Sequence, residues 1–513
     1  LAVFRIVPLK LLPFDNKNEL AIVIDMPRGS SLEKTDAIAR ELGEYLSRVN
    51  EVTDFETYVG NASPMDFNGM VRHYYLRKES YQAEIRINLL PKEKREQQSH
   101  EIALRIRGDV ESIGKSFGAN TKIVESPPGP PVLSTFVAEV YGPLEGTYSA
   151  LAEITQTVRK HIESIPGLVD VDDLVDEPQS VIEFKLDRAR AALFGVSVAQ
   201  ATEALSSALG GRDAGVVHVA GERQPLAIRV QLPRPQRSNL EALLSLRVRT
   251  SSGALVPLSE LGTMETREAD LTIYHKNLRR LNYVTAEMVG REPVEAVMDF
   301  GDRIEEAPLP KGYSVDLAGE GEWKITVDVF RDLGLAFGAA LLMIYVLLVA
   351  QTGSLGMPLI IMVAIPLTVI GIMPGFWLLN LLFTEPVAGI QNPILFTATA
   401  MIGMIALAGI VVRNSIILID FIERLRAQGT SLEEALIEAG ATRMRPIFLT
   451  AGAALFGSFI ITLDPIFSGL AWSFIFGIFA STAFSLYVVP LVYFIINRSQ
   501  APSKPTSSPE GSP

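Results

Sequence analysis

No cysteine occurs among the 513 residues, which excludes disulfide frameworks and thiolate metal sites and suits either a reducing compartment or an envelope protein that avoids oxidative cross-linking. Histidine is nearly as scarce. His73, His100, His161, His218 and His275 show no paired spacing for a metal, and no nucleophile elbow, phosphate loop or HExxH motif occurs. The sequence therefore offers no visible enzymatic centre, and no cofactor is expected. Basic charge is in deficit, 46 Lys and Arg against 58 Asp and Glu for a net charge of −12. That balance argues against a nucleic-acid partner, because phosphate binding needs clustered cations.

What is abundant is apolar sequence, and it is unevenly placed. Charges are frequent up to Lys324, whereas long uncharged runs dominate from Leu333 onward. The run LGLAFGAALLMIYVLLVA, residues 333–350, is long enough to cross ~30 Å of hydrocarbon as a helix rising ~1.5 Å per residue. The same criterion gives spans at 357–383, from Asn392 toward Ile422, at 447–463 and at 470–496, five in all. Arg424, Arg426, Arg443 and Arg445 lie between the third and fourth spans and Arg498 follows the fifth, which makes those sides cytoplasmic. The opposite connections carry acids and no Lys or Arg. Everything before Leu333 then lies outside, yet the amino end, LAVFRIVPLK, has no signal peptide. The expectation is that the chain is the C-terminal part of a longer protein, with at least one further span before Leu1.

The outer region alternates between two periods. LAIVIDMP reads as a strand, SSLEKTDAIARELGEYLSRV as an amphipathic helix opened by Ser30 or Ser31, and VTDFETYVG as a returning strand. YQAEIRINLL, a helix from about Ser99 to Lys115 and ANTKIVES repeat that order. Two successive βαβ units suggest a ferredoxin-like sheet with helices on one face. A second copy begins at TFVAEVYGP, runs through a helix at 146–164 and a strand at GLVDVDDLV, and is interrupted. Its second half comes later, as NYVTAEMVG, PVEAVMDFGDRIEE and GYSVDLAGE. Between the halves lies an insert with its own helices, LDRARAALFG and SVAQATEALSSALGG, and the turn TSSGALVPLSEL. PPGPP at 127–131 reads as a linker, and SQAPSKPTSSPEGSP as a disordered tail. The expected fold class is thus an α+β region of two ferredoxin-like modules, the second split by an insert, followed by an all-α membrane domain of five helices.

Taken over nearly the whole chain, this order resembles the second half of a resistance–nodulation–division (RND) efflux permease. LDRARAALFGVSVAQATEALSSALGG followed by RDAG is similar to that family's docking segment, and GIVVRNSIILIDF and RMRPIFLTAGAALFG are similar to its tenth and eleventh spans. The resemblance implies a homotrimer in a bacterial inner membrane, exporting small molecules by proton antiport through a periplasmic adaptor and an outer-membrane channel. It divides the chain into a connector (1–17), a first porter subdomain (18–125), a second (132–177 and 281–318), a docking subdomain (178–280), a membrane domain (325–497) and a tail (498–513). It also implies that a missing half carries seven spans, with two proton-carrying aspartates on its fourth.

Arg413, within GIVVRNSIILID, is the residue on which the functional reading turns. At the bilayer centre an arginine costs about 2.5–3.5 kcal/mol on insertion scales, so it faces protein or water and usually a carboxylate. Asp420 is seven residues on, ~10 Å along the helix and too far for a firm contact. The resemblance supplies partners in the absent aspartates, with Asn414, Arg443 and Thr450 as further relay positions and Arg445 at the membrane edge. The family's multidrug branch has lysine where Arg413 stands, and arginine, unlike lysine, serves only as a fixed counter-charge. The competing reading ends the third span at Val412 and lays RNSIILIDFIERL along the interface; for Thr450 it is a hydroxyl bonded to its own helix. In the stretch NASPMDFNGM, Met65, Phe67 and Met70 are candidates for an adaptable substrate surface; otherwise they pack on the sheet. Met26, Met65 and Met70 raise heavy-metal export as an alternative, since thioethers select Cu(I). A Sec-accessory or sterol-sensing-like membrane protein is the third reading.

Overall fold

The computed structural model describes residues 7–126, 129 and 132–498. The first six residues of the expected connector, most of the PPGPP linker and the tail from Ser499 lie outside the described residues. Chain contacts divide the protein into two units, one comprising residues 1–175 and 273–513 and the other Asp176–Thr272.

In the first unit the period-2 stretches pair as their patterning requires. Strands β1 (Glu19–Asp25), β2 (Val52–Val59), β3 (Gln82–Leu89) and β4 (Asn120–Val124) form an antiparallel sheet in the order β2-β3-β1-β4. Helix α1 (Leu32–Leu46) follows β1, and α2 (Ser99–Phe117) follows β3. Of the two serines expected to open α1, Ser31 caps it by accepting from the Lys34 N–H. Alternate residues of β1, Leu20, Ile22 and Ile24, bury against Ile38 and Leu42 of α1 and Ile102 and Ile106 of α2.

The second module repeats the order with a break in the middle. Its elements are β5 (Phe136–Tyr141), α3 (Tyr148–Glu163), β6 (Leu168–Asp173), then, after the other unit, β7 (Tyr274–Lys276), β8 (Arg279–Met288), α4 (Pro293–Glu306) and β9 (Ser314–Asp316). β8 pairs with β6 and β7 on one edge and with β5 on the other, and β5 pairs with β9. The β7–β8 hairpin belongs to this sheet, so the interruption closes at Thr272 rather than at Arg280. The unit Asp176–Thr272 has its own core of Ala191, Val196, Ala201, Leu258 and Leu261. It also carries an antiparallel hairpin of Arg212–Val217 with Leu226–Val230.

Among the described residues five helices are long and apolar enough to cross a membrane: α5 (Glu322–Thr352), α6 (Met357–Phe383), α7 (Ala398–Ala427), α8 (Leu432–Leu463, whose last four residues tighten to a 3₁₀ turn) and α9 (Ser468–Asn497). The α6 helix is irregular at Val363, where Pro366 cannot donate to the Met362 carbonyl. α9 packs on both α6 and α7 through residues without side chains. A Cβ at Gly371 would stand 2.2 Å from the Ala480 Cβ and 2.8 Å from the Phe476 carbonyl, and one at Gly477 would stand 2.0 Å from Leu407. Such approach is what small residues give helices in lipid. A short parallel pairing, Leu9 with Phe396 and Lys10 with Thr397, fastens the connector to the start of α7.

Gly371→Ala is expected to force α6 and α9 apart and to destabilise the membrane domain by about 1–3 kcal/mol. Thermal unfolding followed by tryptophan fluorescence checks this, and an unchanged midpoint would show that the two helices are not locked in this contact.

Candidate functional site

Helix α7 runs unbroken through Arg413, because nothing between Ala398 and Ala427 interrupts its hydrogen-bond ladder. The separate interfacial helix beginning at Arg413 therefore does not form. At ~1.5 Å per residue, Arg413 lies ~20 Å from either end. Gly403, Leu407, Val411, Asn414, Leu418 and Ile422 form the buried stripe, whereas Ile402, Ala406, Gly409, Arg413, Ile417, Asp420 and Arg424 form an uncovered one. Asp420 pairs with Arg424 at 2.7 Å, not with Arg413. Among the described residues Arg413 makes no ion pair. Asn414, one position on, is 8% exposed.

On α8, Arg443 places its guanidinium over the Phe421 ring of α7, 4.8 Å from the centroid, a cation–π contact that joins the two helices. Thr450 donates to the Ile447 carbonyl at 3.0 Å, as hydroxyls in apolar helices commonly do. The structure does not bring Arg413, Arg443 and Thr450 into a mutual hydrogen-bond network, and Arg445 is exposed. A polar knot absent from the sequence reading lies nearer the cytoplasmic end. There Tyr493 of α9, fully buried, donates to Glu423 and accepts from Arg426 at 3.0 Å. The i,i+3 spacing of Glu423 and Arg426 was its only local signal.

Outside the membrane, charged side chains meet between the two α/β modules. Arg72 donates to Glu287 at 2.9 Å and Arg107 to Asp170 at 2.6 Å, while Lys122 joins Asp25 at 3.0 Å to Asp172. Arg77 also reaches Asp25 at 2.9 Å. Burial pushes the Asp25 carboxyl up, but Lys122 and Arg77 outweigh it and hold the group well below the usual carboxylate range. Glu287 behaves likewise, with burial opposed by Arg72 and by the hydroxyls of Thr135 and Ser134. At Asp170 burial wins over Arg107 and the carboxyl is raised. Asp170 also holds a left-handed backbone, φ 53°, strained for a non-glycine residue.

The stretch 61–70 runs into a short helix, Phe67–Val71, capped by Asp66. Met65, Phe67 and Met70 are 63%, 65% and 43% exposed, so they project from the module instead of packing on its sheet. Met26, by contrast, is buried in the first module's core, and the three methionines do not share one environment. Among the described residues no three His, Cys, Asp or Glu side chains converge as a metal site requires.

A large two-module α/β region followed by five apolar helices, one carrying an arginine at mid-length, defines a multi-pass membrane protein with most of its polar mass on one side. Residues 1–497 match the model of the AcrB/AcrD/AcrF family, and the chain belongs to that family of RND transporters. It is an inner-membrane protein with a periplasmic region. Among curated relatives it is 28% identical to the cobalt-zinc-cadmium resistance protein CzcA of Cupriavidus metallidurans, over 70% of this chain and 33% of that protein. It is 26% identical to the multidrug resistance protein MdtC of Serratia proteamaculans, over 69% and 33%. A crystal structure of a heavy metal efflux pump shares the fold with a TM-score of 0.77 at 21% identity, covering 96% of this chain and 49% of that one. The chain thus spans about half the length of that pump.

Where α4 begins, Glu292 is 3% exposed and its Oε2 has no hydrogen-bond partner among the described residues. Burial raises its carboxyl to about 8, with Lys10 opposing and Glu322 and Glu295 adding to the rise. The native state therefore prefers the protonated acid, a preference fully present below the ordinary ~4.3 and lost as pH rises through about 8. Thermal stability of the wild type is expected to fall between pH 5 and 9, and Glu292→Gln to lessen that fall, the raised carboxyls of Glu322 and Asp170 keeping the remainder. By pH 9 the variant should lead by about 2–4 kcal/mol; parallel pH profiles would rule the effect out.

Proposed function

We propose that this chain is the C-terminal half of a proton-driven RND transporter that exports small amphiphilic or hydrophobic compounds from the inner membrane and periplasm. The observation that carries this reading is Arg413, charged at mid-helix on the one stripe of α7 that the other four helices leave open. Its neighbours one and two turns up, Gly409 and Ala406, are small, as suits close contact with another helix and not with lipid. In this reading acidic side chains from the rest of the transporter meet Arg413. The guanidinium depresses their pKa when near and releases them when the helices shift. Asn414 bridges to the same acids, and Arg443 and Thr450 line the route on α8. Arginine cannot itself yield a proton, so it is a counter-charge and not a carrier.

The periplasmic modules act as porter subdomains. Their ferredoxin-like character is supported by the shared strand order, β2-β3-β1-β4 in the first and β6-β8-β5-β9 in the second. The unit Asp176–Thr272 serves as the docking subdomain toward an outer-membrane channel, with a periplasmic adaptor completing the assembly. A homotrimer is supported by the Arg212–Val230 hairpin, where Val216, Leu226, Ile228 and Val230 are 56%, 52%, 47% and 60% exposed. So apolar a ribbon calls for a covering surface. Met65, Phe67 and Met70 give the substrate a soft, exposed surface.

A second substrate class stands beside the first. The relative CzcA is named for cobalt, zinc and cadmium resistance, and the matching crystal structure is of a heavy metal efflux pump, so export of divalent or soft cations is an equal alternative.

Arg413→Ala in the complete transporter is expected to abolish gradient-driven export while leaving membrane insertion and assembly intact. Undiminished export with a collapsing proton gradient would remove the counter-charge role. The substrate classes separate in one panel: expression in a pump-deficient host should raise tolerance to organic amphiphiles and not to zinc, cobalt or copper salts if the first class holds, with the reverse pattern supporting metal export.

A further inference from the structure

Three elements far apart in sequence meet where the second module joins the membrane domain. The connector supplies Lys10, the start of α4 supplies Glu292, and Glu322 is the first residue of α5. Lys10 is 8% exposed and Glu292 3%. Glu292 stands at the N-cap of α4, yet its carboxylate accepts none of that helix's N–H groups. Its neighbour Gly290 abuts the loop ahead of α7, where a Cβ would lie 3.1 Å from Ile390. The Glu322 N–H donates to the Thr135 carbonyl at 3.2 Å, and Lys10 pairs with Thr397 in the ladder to α7.

The acids around this joint are matched one by one, except for two. Glu287 has Arg72 at 2.9 Å, Glu295 has Arg291 at 3.0 Å and Asp170 has Arg107 at 2.6 Å. Asp15 and Glu125, which share a cavity of about 100 Å³ with Lys10 and Glu322, have Lys17 at 3.3 Å and His100 at 2.9 Å. Among the described residues Glu292 and Glu322 form no ion pair. The cation that acts on both is Lys10, and the other charges facing them, Glu295 on α4 and Glu287 on β8, are acids. Lys10 is held in place with its Nζ 3.6 Å from the centroid of the Phe14 ring, which stacks on His100 of α2. One ammonium thus serves two carboxylates. With one proton on the pair the group is neutral, whereas with none a net negative charge stays buried, at a cost that only water relieves.

We propose that Lys10, Glu292 and Glu322 form a periplasmic proton-binding site, which holds one proton between its two carboxylates while the connector, α4 and α5 are joined and loosens that joint when the proton leaves. The site is apart from Arg413 and does not depend on what drives export.

The test measures hydrogen-exchange protection in the complete transporter, in lipid nanodiscs with no proton gradient, at pH 6 and pH 9. The readout is protection of the Phe396 and Ala398 amides, which donate to the connector carbonyls of Pro8 and Leu11, relative to the Ile22 amide of β1, so that global unfolding cancels. In the wild type this ratio is expected to fall at least tenfold from pH 6 to pH 9. Glu292→Gln and Glu322→Gln each leave one carboxylate to one cation, and each should confine the fall to threefold or less. Adding Lys10→Gln to Glu292→Gln leaves Glu322 with no cation and should restore a fall of at least tenfold, which no loss of packing alone would do. Should the double variant fail to assemble, the comparison of the two single variants decides. A ratio that does not change with pH in the wild type overturns the site, and so does a Glu322→Gln variant that keeps the whole wild-type fall.

Discussion

The close contact of α9 with α6 and α7 sets the geometry of the whole membrane domain. Gly371 and Gly477 let backbones approach to distances that a single methyl group would forbid, and this uses one face of α7 completely. The stripe opposite is what remains, and Arg413 sits in it. A guanidinium buried among these five helices would have needed a carboxylate from one of them. Leaving it on the open stripe removes that requirement from these five helices. Helix packing, not the charge itself, thereby decides where Arg413 is presented.

Outside the membrane the governing constraint is different. Two modules of equal strand order meet through opposite charges rather than through apolar surface, with Arg72, Arg107 and Lys122 on one side and Glu287, Asp170 and Asp172 on the other. An apolar seam would close once and stay closed. Paired charges hold the modules in register yet are satisfied by water or by a solute's own charges when they part. Such a junction suits a pair of modules that separate and rejoin.

Much of this architecture was legible because burial imposes a period. The strands at LAIVIDMP, YQAEIRINLL and NYVTAEMVG alternate, and the five apolar runs are long and nearly free of charge, so each declares its own environment. Arg413 stood out for the same reason, a single cation where none belongs. What the sequence hides is pairing across distance. Arg72 and Glu287 are 215 residues apart and Arg107 and Asp170 are 63 apart, and no local pattern couples them. The exposure of Met65, Phe67 and Met70 was likewise ambiguous, because Asp66 caps a helical turn there that lifts them off the sheet. The short strand Tyr274–Lys276 carries too little alternation to show in the sequence that it pairs with β8 and so belongs to the second module.

The two-residue ladder that ties Leu9 and Lys10 to Phe396 and Thr397 is made of main-chain groups alone, with the Phe396 N–H donating to the Pro8 carbonyl at 2.8 Å and the Ala398 N–H to the Leu11 carbonyl at 3.1 Å. Its hydrogen bonds join α7 to the connector through the main chain, beside the packing of Val7 and Leu9 on the helix core. Residue-by-residue truncation leaves such a linkage whole. Its severing takes a proline at a donating position, which is why a mechanical joint of this kind stays invisible to every survey of amino-acid identity.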